Sequence, residues 1–144
     1  MYDLIVIGSG PAGEKGAAQA AYFGKSVALI EREPVLGGAC VNTGTVPSKT
    51  LRESALHLSG FRQRGFRGGT VEMKITSNPS VSEFMHRKNL VVEREWKRIE
   101  ENLRRHKVDR YVGAARFQSP TQIEVVAASG STVLDGTRAT AGRA

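Results

Sequence analysis

Apolar and polar positions change their period several times along the chain, and each change marks an element. Tyr2 to Ile7 is a continuous apolar, β-prone run, followed by Gly8-Ser9-Gly10-Pro11-Ala12-Gly13 and an Ala-rich stretch from Glu14 to Phe23. This reads as strand, glycine turn and helix, with Gly24 as the helix C-cap. Val27-Ala28-Leu29-Ile30 gives a second buried strand that ends at Glu31. The opening segment is therefore one βαβ unit.

Beyond it, Pro34 to Gly44 is Gly-rich and reads as a loop. Pro47 suits the first turn of a helix with an apolar stripe of Leu51, Ala55 and Leu58, and Gly60 is its expected end. Phe61 to Thr70 has Gly and Arg without a period and reads as a mobile loop. Ser80-Val81-Ser82-Glu83 matches a capping box at the start of a long helix. Val81, Met85, Val92, Trp96, Ile99 and Leu103 make its apolar face, interrupted by Lys88. That spacing places Trp96 in the core rather than against a cofactor. After Val108, β-prone runs at Tyr111–Phe117, Gln122–Val126 and Thr132–Leu134 are expected to form a small antiparallel meander. Residues 135–144 are small, polar and aperiodic, and read as an irregular or truncated tail after a domain spanning 1–134.

Composition narrows the function classes. With 144 residues, 40% hydrophobic and 16 Gly, the chain is a globular domain rather than a fibrous or disordered one. A net charge of +7 raises nucleic acid as a partner. However, the basic residues from Arg87 to Arg110 alternate with Glu93, Glu95, Glu100 and Glu101, the pattern of a solvated helix face, so no nucleic acid is expected. No apolar run approaches the roughly 18 residues of a membrane span, and no signal peptide opens the chain. The single cysteine, Cys40, excludes an internal disulfide and fits a reducing, cytoplasmic setting. His57, His86 and His106 lack ligand spacing, so no metal site is expected.

The first chemical signal is the G-x-G-x-x-G of Gly8, Gly10 and Gly13 between a strand and a helix, with an acid, Glu31, closing the second strand. In that context it is a dinucleotide-binding fingerprint. Gly8 permits the tight turn, Gly10 lets the backbone approach a pyrophosphate, and Gly13 allows helix to pack on strand. Pro11 and Ala12 begin the helix whose N-terminus faces the phosphates. Glu31, followed by Arg32, is placed to accept hydrogen bonds from ribose hydroxyls. The fingerprint alone does not separate FAD from NAD.

The next segment adds to it. Gly37-Gly38-Ala39-Cys40-Val41-Asn42-Thr43-Gly44-Thr45-Val46-Pro47-Ser48-Lys49 resembles the redox segment of the flavoprotein disulfide reductases, G-G-x-C-x-N-x-G-C-x-P-S-K. The match holds at Gly37, Gly38, Cys40, Asn42, Gly44, Pro47, Ser48 and Lys49. With the fingerprint, the resemblance covers Met1 to about Leu58, and Gly113-Ala114-Ala115-Arg116-Phe117 is similar to the family segment near the adenine. The departure is Thr45, which stands where the family has the cysteine that faces the flavin, so the redox disulfide cannot form.

A retained first cysteine with threonine at the second position resembles the soluble pyridine nucleotide transhydrogenases within that family. The resemblance implies an α/β, Rossmann-like FAD-binding domain, incomplete at this length. It implies FAD as cofactor, nicotinamide nucleotides as partners, a homodimer at family length, and hydride transfer between NADPH and NAD through the flavin. It assigns cofactor contacts to Gly38, Ala39, Cys40, Thr45, Lys49 and Ala115 besides Gly8 to Gly13, Glu31 and Arg32. Cys40, Thr45 and Lys49 become the catalytic candidates, with Lys49 near the flavin N5; Cys40 reads either as a reactive thiol or as a buried relic. Two other readings stand beside this one: a dihydrolipoamide dehydrogenase or mercuric reductase relative without its disulfide, and a non-catalytic FAD-binding module. Because the family fold also needs an NAD(P) domain and an interface domain, the 144-residue chain by itself is expected to lack turnover.

Overall fold

In chain order the elements are β1 (Leu4–Ile7), α1 (Pro11–Tyr22), β2 (Val27–Glu31), α2 (Gly38–Asn42), α3 (Thr45–Gln63), α4 (Val81–Arg105), β3 (Asp109–Val112), β4 (Ala114–Phe117), β5 (Gln122–Ala127), β6 (Gly130–Asp135) and β7 (Ala139–Ala141). The structure, a computed structural model, describes residues 1–63, 80–136 and 139–141. β1 and β2 pair in parallel, Leu4 opposite Val27 and Ile7 opposite Ile30, with α1 as the crossover. β3 joins β2 and β7 joins β1, both parallel, giving a four-stranded sheet in the order β3-β2-β1-β7.

Every residue of β2 is buried because both faces of the sheet are covered. Val6, Val27 and Leu29 point to one face and meet Ala17 of α1 and Val92, Ile99 and Leu103 of α4. Ile5, Ala28 and Ile30 point to the other and meet Ile123, Val125 and Leu134 of an antiparallel sheet, β4-β5-β6. Strand alternation thus divides the core into a helical layer and a meander layer around one sheet. None of the described helices is long and apolar enough to cross a membrane.

Several sequence expectations hold. Gly24 takes the left-handed φ of +77° after α1, as a C-cap glycine does. Trp96 packs against the helical core cluster. The capping box at α4 is complete, with Ser80 Oγ accepting from Glu83 N–H at 3.2 Å and Glu83 Oε2 accepting from Ser80 N–H at 2.7 Å.

Others are corrected. The segment 34–44 is not a simple loop, since α2 lies inside it; five residues are too few to show a period in sequence. The helix expected to stop at Gly60 continues to Gln63, because one interior glycine costs only about 1 kcal/mol. Phe61 to Gln63 therefore belong to α3, and the remainder of the expected mobile loop, up to Thr70, lies outside the described residues. On α3 the stripe is displaced: Thr50 and Ser54 are buried and Leu51 half-buried, whereas Ala55 is exposed. On α4 the apolar face is covered from Val92 onward, while Val81 and Met85 lie open to solvent.

The Tyr111–Phe117 run is two strands rather than one. Its first half extends the parallel sheet and its second half opens the meander, with the change at Gly113. A Cβ there would sit 2.7 Å from the Val126 carbonyl oxygen, so glycine is what lets the chain pass between the layers. The stretch after 134 is also not wholly irregular. β6 runs to Asp135, Gly136 bridges to Tyr2, and Ala139–Ala141 forms β7 against β1 through backbone bonds that residue type does not report.

The cap of α4 gives a direct test. Ser80→Ala is expected to lower stability by about 1 kcal/mol, read as a shift in the urea unfolding midpoint with an unchanged slope.

Candidate dinucleotide-binding cleft

The carboxyl ends of β1 and β2 converge where the chain turns from sheet to helix, the usual ligand position in a parallel sheet. Gly8 leaves β1 at a φ of +95° and its N–H bonds to the Ile30 carbonyl at 2.8 Å. A Cβ on Gly13 would lie 2.0 Å from the Gly8 carbonyl oxygen, an approach that admits glycine alone. Gly10 caps α1 without a side-chain hydrogen bond, and Pro11 at the first helical position has no N–H to satisfy. The remaining first-turn N–H groups, at the positive end of the helix dipole, are available to an anion.

Glu31 closes β2 with its side chain buried. Its Oε2 accepts from Ser9 N–H at 2.8 Å and from Ser9 Oγ at 2.6 Å, and its Oε1 accepts from Glu33 N–H at 3.1 Å. Burial pushes the carboxyl pKa up, but the hydrogen bonds from Ser9 and from the Glu33 and Arg32 backbone outweigh it and hold the group below the usual carboxylate range. Ser9 is fully buried, and its Oγ also accepts from Gly37 N–H at 3.0 Å. One hydroxyl therefore joins the glycine turn, the end of β2 and the start of α2. The loop after Glu31 is held from the far side by Arg110, which donates to the Pro34 carbonyl at 2.8 Å and lies 3.6 Å from Glu100.

These ties enclose a cleft of about 700 Å³. Ile7, Gly8, Gly10 and Gly13 line it from the first turn, and Ile30, Glu31, Arg32, Glu33 and Val35 from β2 and its loop. Gly38, Ala39, Asn42 and Thr43 contribute from α2, and Gly113, Ala114 and Ala115 from the β3–β4 junction. Behind the glycine turn, buried Glu14 accepts from Asn102 Nδ2 at 2.6 Å and from Lys15 Nζ at 3.2 Å, an acid well placed in the first turn of a helix.

Of the residues singled out in sequence, Gly8, Gly10, Gly13, Glu31, Arg32, Gly38, Ala39 and Ala115 converge on the cleft. Pro11, Ala12, Cys40, Thr45 and Lys49 are not among its lining residues. Cys40 is half-buried on α2, which turns Ala39, Asn42 and Thr43 toward the cleft instead; Thr45 and Lys49 are exposed at the start of α3. The sequence reading missed Ser9, an unspecified position of the fingerprint whose short hydroxyl is the only signal. Asn42, a motif match to which the sequence assigns no role, also lines the cleft.

Ser9 sets a prediction with a sign. Because the folded pKa of Glu31 lies below its unfolded value, the group contributes stability above the ordinary carboxylate range and loses it as pH falls through the folded value. Ser9→Ala removes the bond to the charged acceptor and the one from Gly37 N–H, and is expected to lower stability at neutral pH by about 3 kcal/mol. The variant should also lose less stability than the parent on acidification, measured by urea unfolding from neutral pH into the acid range.

Comparison with known proteins agrees with this geometry. The family model described as pyridine nucleotide-disulphide oxidoreductase matches residues 2–137. The soluble pyridine nucleotide transhydrogenase of Mycobacterium tuberculosis (strain ATCC 25177 / H37Ra) is 46% identical over 124 residues, 86% of this chain and 26% of that protein. The enzyme of the same name from Marinomonas sp. (strain MWYL1) is 36% identical over 124 residues, with the same shares. The Cu(II) complex of the HOCl-induced flavoprotein disulfide reductase RclA from Escherichia coli superposes with a TM-score of 0.78 at 26% identity, covering 98% of this chain and 28% of that one. The chain thus spans about a quarter of the length of the proteins it matches. On the match over residues 2–137, the chain belongs to the pyridine nucleotide-disulphide oxidoreductase family.

Proposed function

We propose that the cleft binds FAD and that the chain is the FAD-binding part of a soluble transhydrogenase-like flavoenzyme, which moves hydride between NADPH and NAD. The observation that carries this reading is the convergence of the glycine turn, Glu31 and α2 on one cleft. The residues present fit a dinucleotide. A Cβ on Gly10 would meet no atom within 4 Å beyond its chain neighbours, so the backbone there is open to a pyrophosphate, and the uncapped start of α1 supplies the donors. Glu31, held charged by Ser9, suits ribose hydroxyls as an acceptor. Gly113 to Ala115 offers a small, backbone-rich surface for a base.

Bound flavin would supply the hydride chemistry, and the chain's own residues would position it. Thr45 in place of a second cysteine favours the transhydrogenase reading over a dithiol reductase, since the single thiol, Cys40, has no partner with which to form a disulfide that could accept two electrons. Lys49, exposed near the start of α3, is proposed as the flavin-side cation. A cytoplasmic setting and a homodimer at family length belong to the same proposal.

Binding and turnover measurements test it. The chain is expected to bind FAD with quenching of flavin fluorescence, and Glu31→Gln to weaken binding about tenfold, the scale of a lost charged hydrogen bond. A chain that leaves flavin fluorescence unchanged removes the FAD assignment. The 144-residue chain carries one dinucleotide fingerprint, so with FAD it is expected to oxidise NADPH no faster than free flavin. A family-length version should reduce thionicotinamide-NAD with NADPH and leave lipoamide and Hg(II) untouched; the reverse preference would favour the dithiol-type relatives.

A further inference from the structure

α2 is too short to hold its own geometry, since a single helical turn is disfavoured in isolation. Yet it carries Cys40 and presents Ala39, Asn42 and Thr43 toward the cleft. What fixes it must come from outside. At its start, Gly37 takes a φ of +98° and its N–H is held by Ser9, through both Oγ at 3.0 Å and the carbonyl at 3.2 Å. At its end, the Asn42 amide donates to the Leu36 carbonyl at 3.0 Å and to the Gly38 carbonyl at 2.9 Å. The Asn42 Oδ1 accepts from the indole Nε1–H of Trp96 on α4 at 2.8 Å. The three hydrogen bonds of this amide thus close α2 on itself and tie it to the long helix.

We propose that Trp96 and Asn42 are a positioning pair: the indole N–H of α4 orients the Asn42 amide, which sets the pitch of α2, the α2 wall of the cleft and the presentation of Cys40. The link to flavin rests on the proposed FAD reading; the link to Cys40 does not. Trp96 itself is not among the cleft-lining residues, so it acts through Asn42. Its ring packs against the apolar cluster formed by α1, α4 and the sheet, which makes α4 the rigid body from which α2 hangs.

Because Cys40 is the single thiol of the chain and is half-buried, its reaction with 5,5′-dithiobis(2-nitrobenzoate) reports α2 alone. In that reaction the Cys40 thiolate attacks the reagent disulfide, forming a mixed disulfide and releasing one thionitrobenzoate. Trp96→Phe keeps an aromatic ring in the core and removes the donor. It is expected to raise the thiol rate of the flavin-free chain about fivefold, the scale of one net hydrogen bond, with the thermal midpoint lowered by only about 3 °C. Asn42→Ala should raise the rate at least as much. The double variant should match Asn42→Ala, because both changes break the same bond.

Unchanged thiol rates in both single variants would overturn the proposal, as would additive effects in the double variant. Reaction at the rate of the urea-denatured chain, with loss of helical circular dichroism, would also overturn it, because the pair would then support the whole fold rather than α2. A separate FAD titration is expected to show binding weakened several-fold in Trp96→Phe. Failure of the parent chain to bind FAD counts against the flavin reading, and the thiol rates still decide the positioning role.

Discussion

The hydroxyl of Ser9 is the joint on which the cleft depends. It sits with no exposed surface where three backbone segments meet, donating to Glu31 and accepting from Gly37. A buried carboxylate is costly unless hydrogen bonds replace its hydration, and Ser9 supplies two of those that Glu31 receives, through its N–H and its hydroxyl. The same contact draws the beginning of α2 against the glycine turn. Without it the acid would keep only backbone hydrogen bonds, and the start of α2 would be held to the glycine turn by the Ser9 carbonyl alone.

The close approach of Gly13 to Gly8 provides the second constraint, in the same turn. It brings α1 down onto β1, where Val6 and Ala17 enter one cluster, and this leaves the other face of the sheet free for the meander. The meander in turn brings Gly113 to Ala115 to the far end of the cleft. The parallel sheet therefore positions the site from both of its faces, with helices delivering α2 on one side and β4 arriving from the other.

Family membership and the substitution at Thr45 together separate binding from redox exchange. The residues proposed to bind a dinucleotide converge on one cleft, whereas the second sulfur of a disulfide exchange pair is absent from the sequence. On α4 the basic side chains are largely exposed and some are paired in sequence-local ion pairs, Arg98 with Glu95 and Arg105 with Glu101, which is how a one-sided helix presents itself to water.

Local chemistry was legible wherever it is encoded within a few residues. The βαβ unit, the glycine turn, the acid at the end of β2, the capping box and the buried half of α4 follow from period, backbone freedom and capping chemistry, all of which act over one or two turns. Tertiary structure decided what depends on partners distant in sequence. It split Tyr111–Phe117 at Gly113, recruited Ala139–Ala141 as a strand, ran α3 through Gly60, gave Ser9 and Asn42 their partners, and set Ala39, Asn42 and Thr43 of α2 along the cleft. Residue type specifies which groups can bond and where the backbone can turn. Which buried hydroxyl or amide meets which partner is settled only when segments far apart in the chain pack and exclude water, leaving each buried polar group to be satisfied by its neighbours.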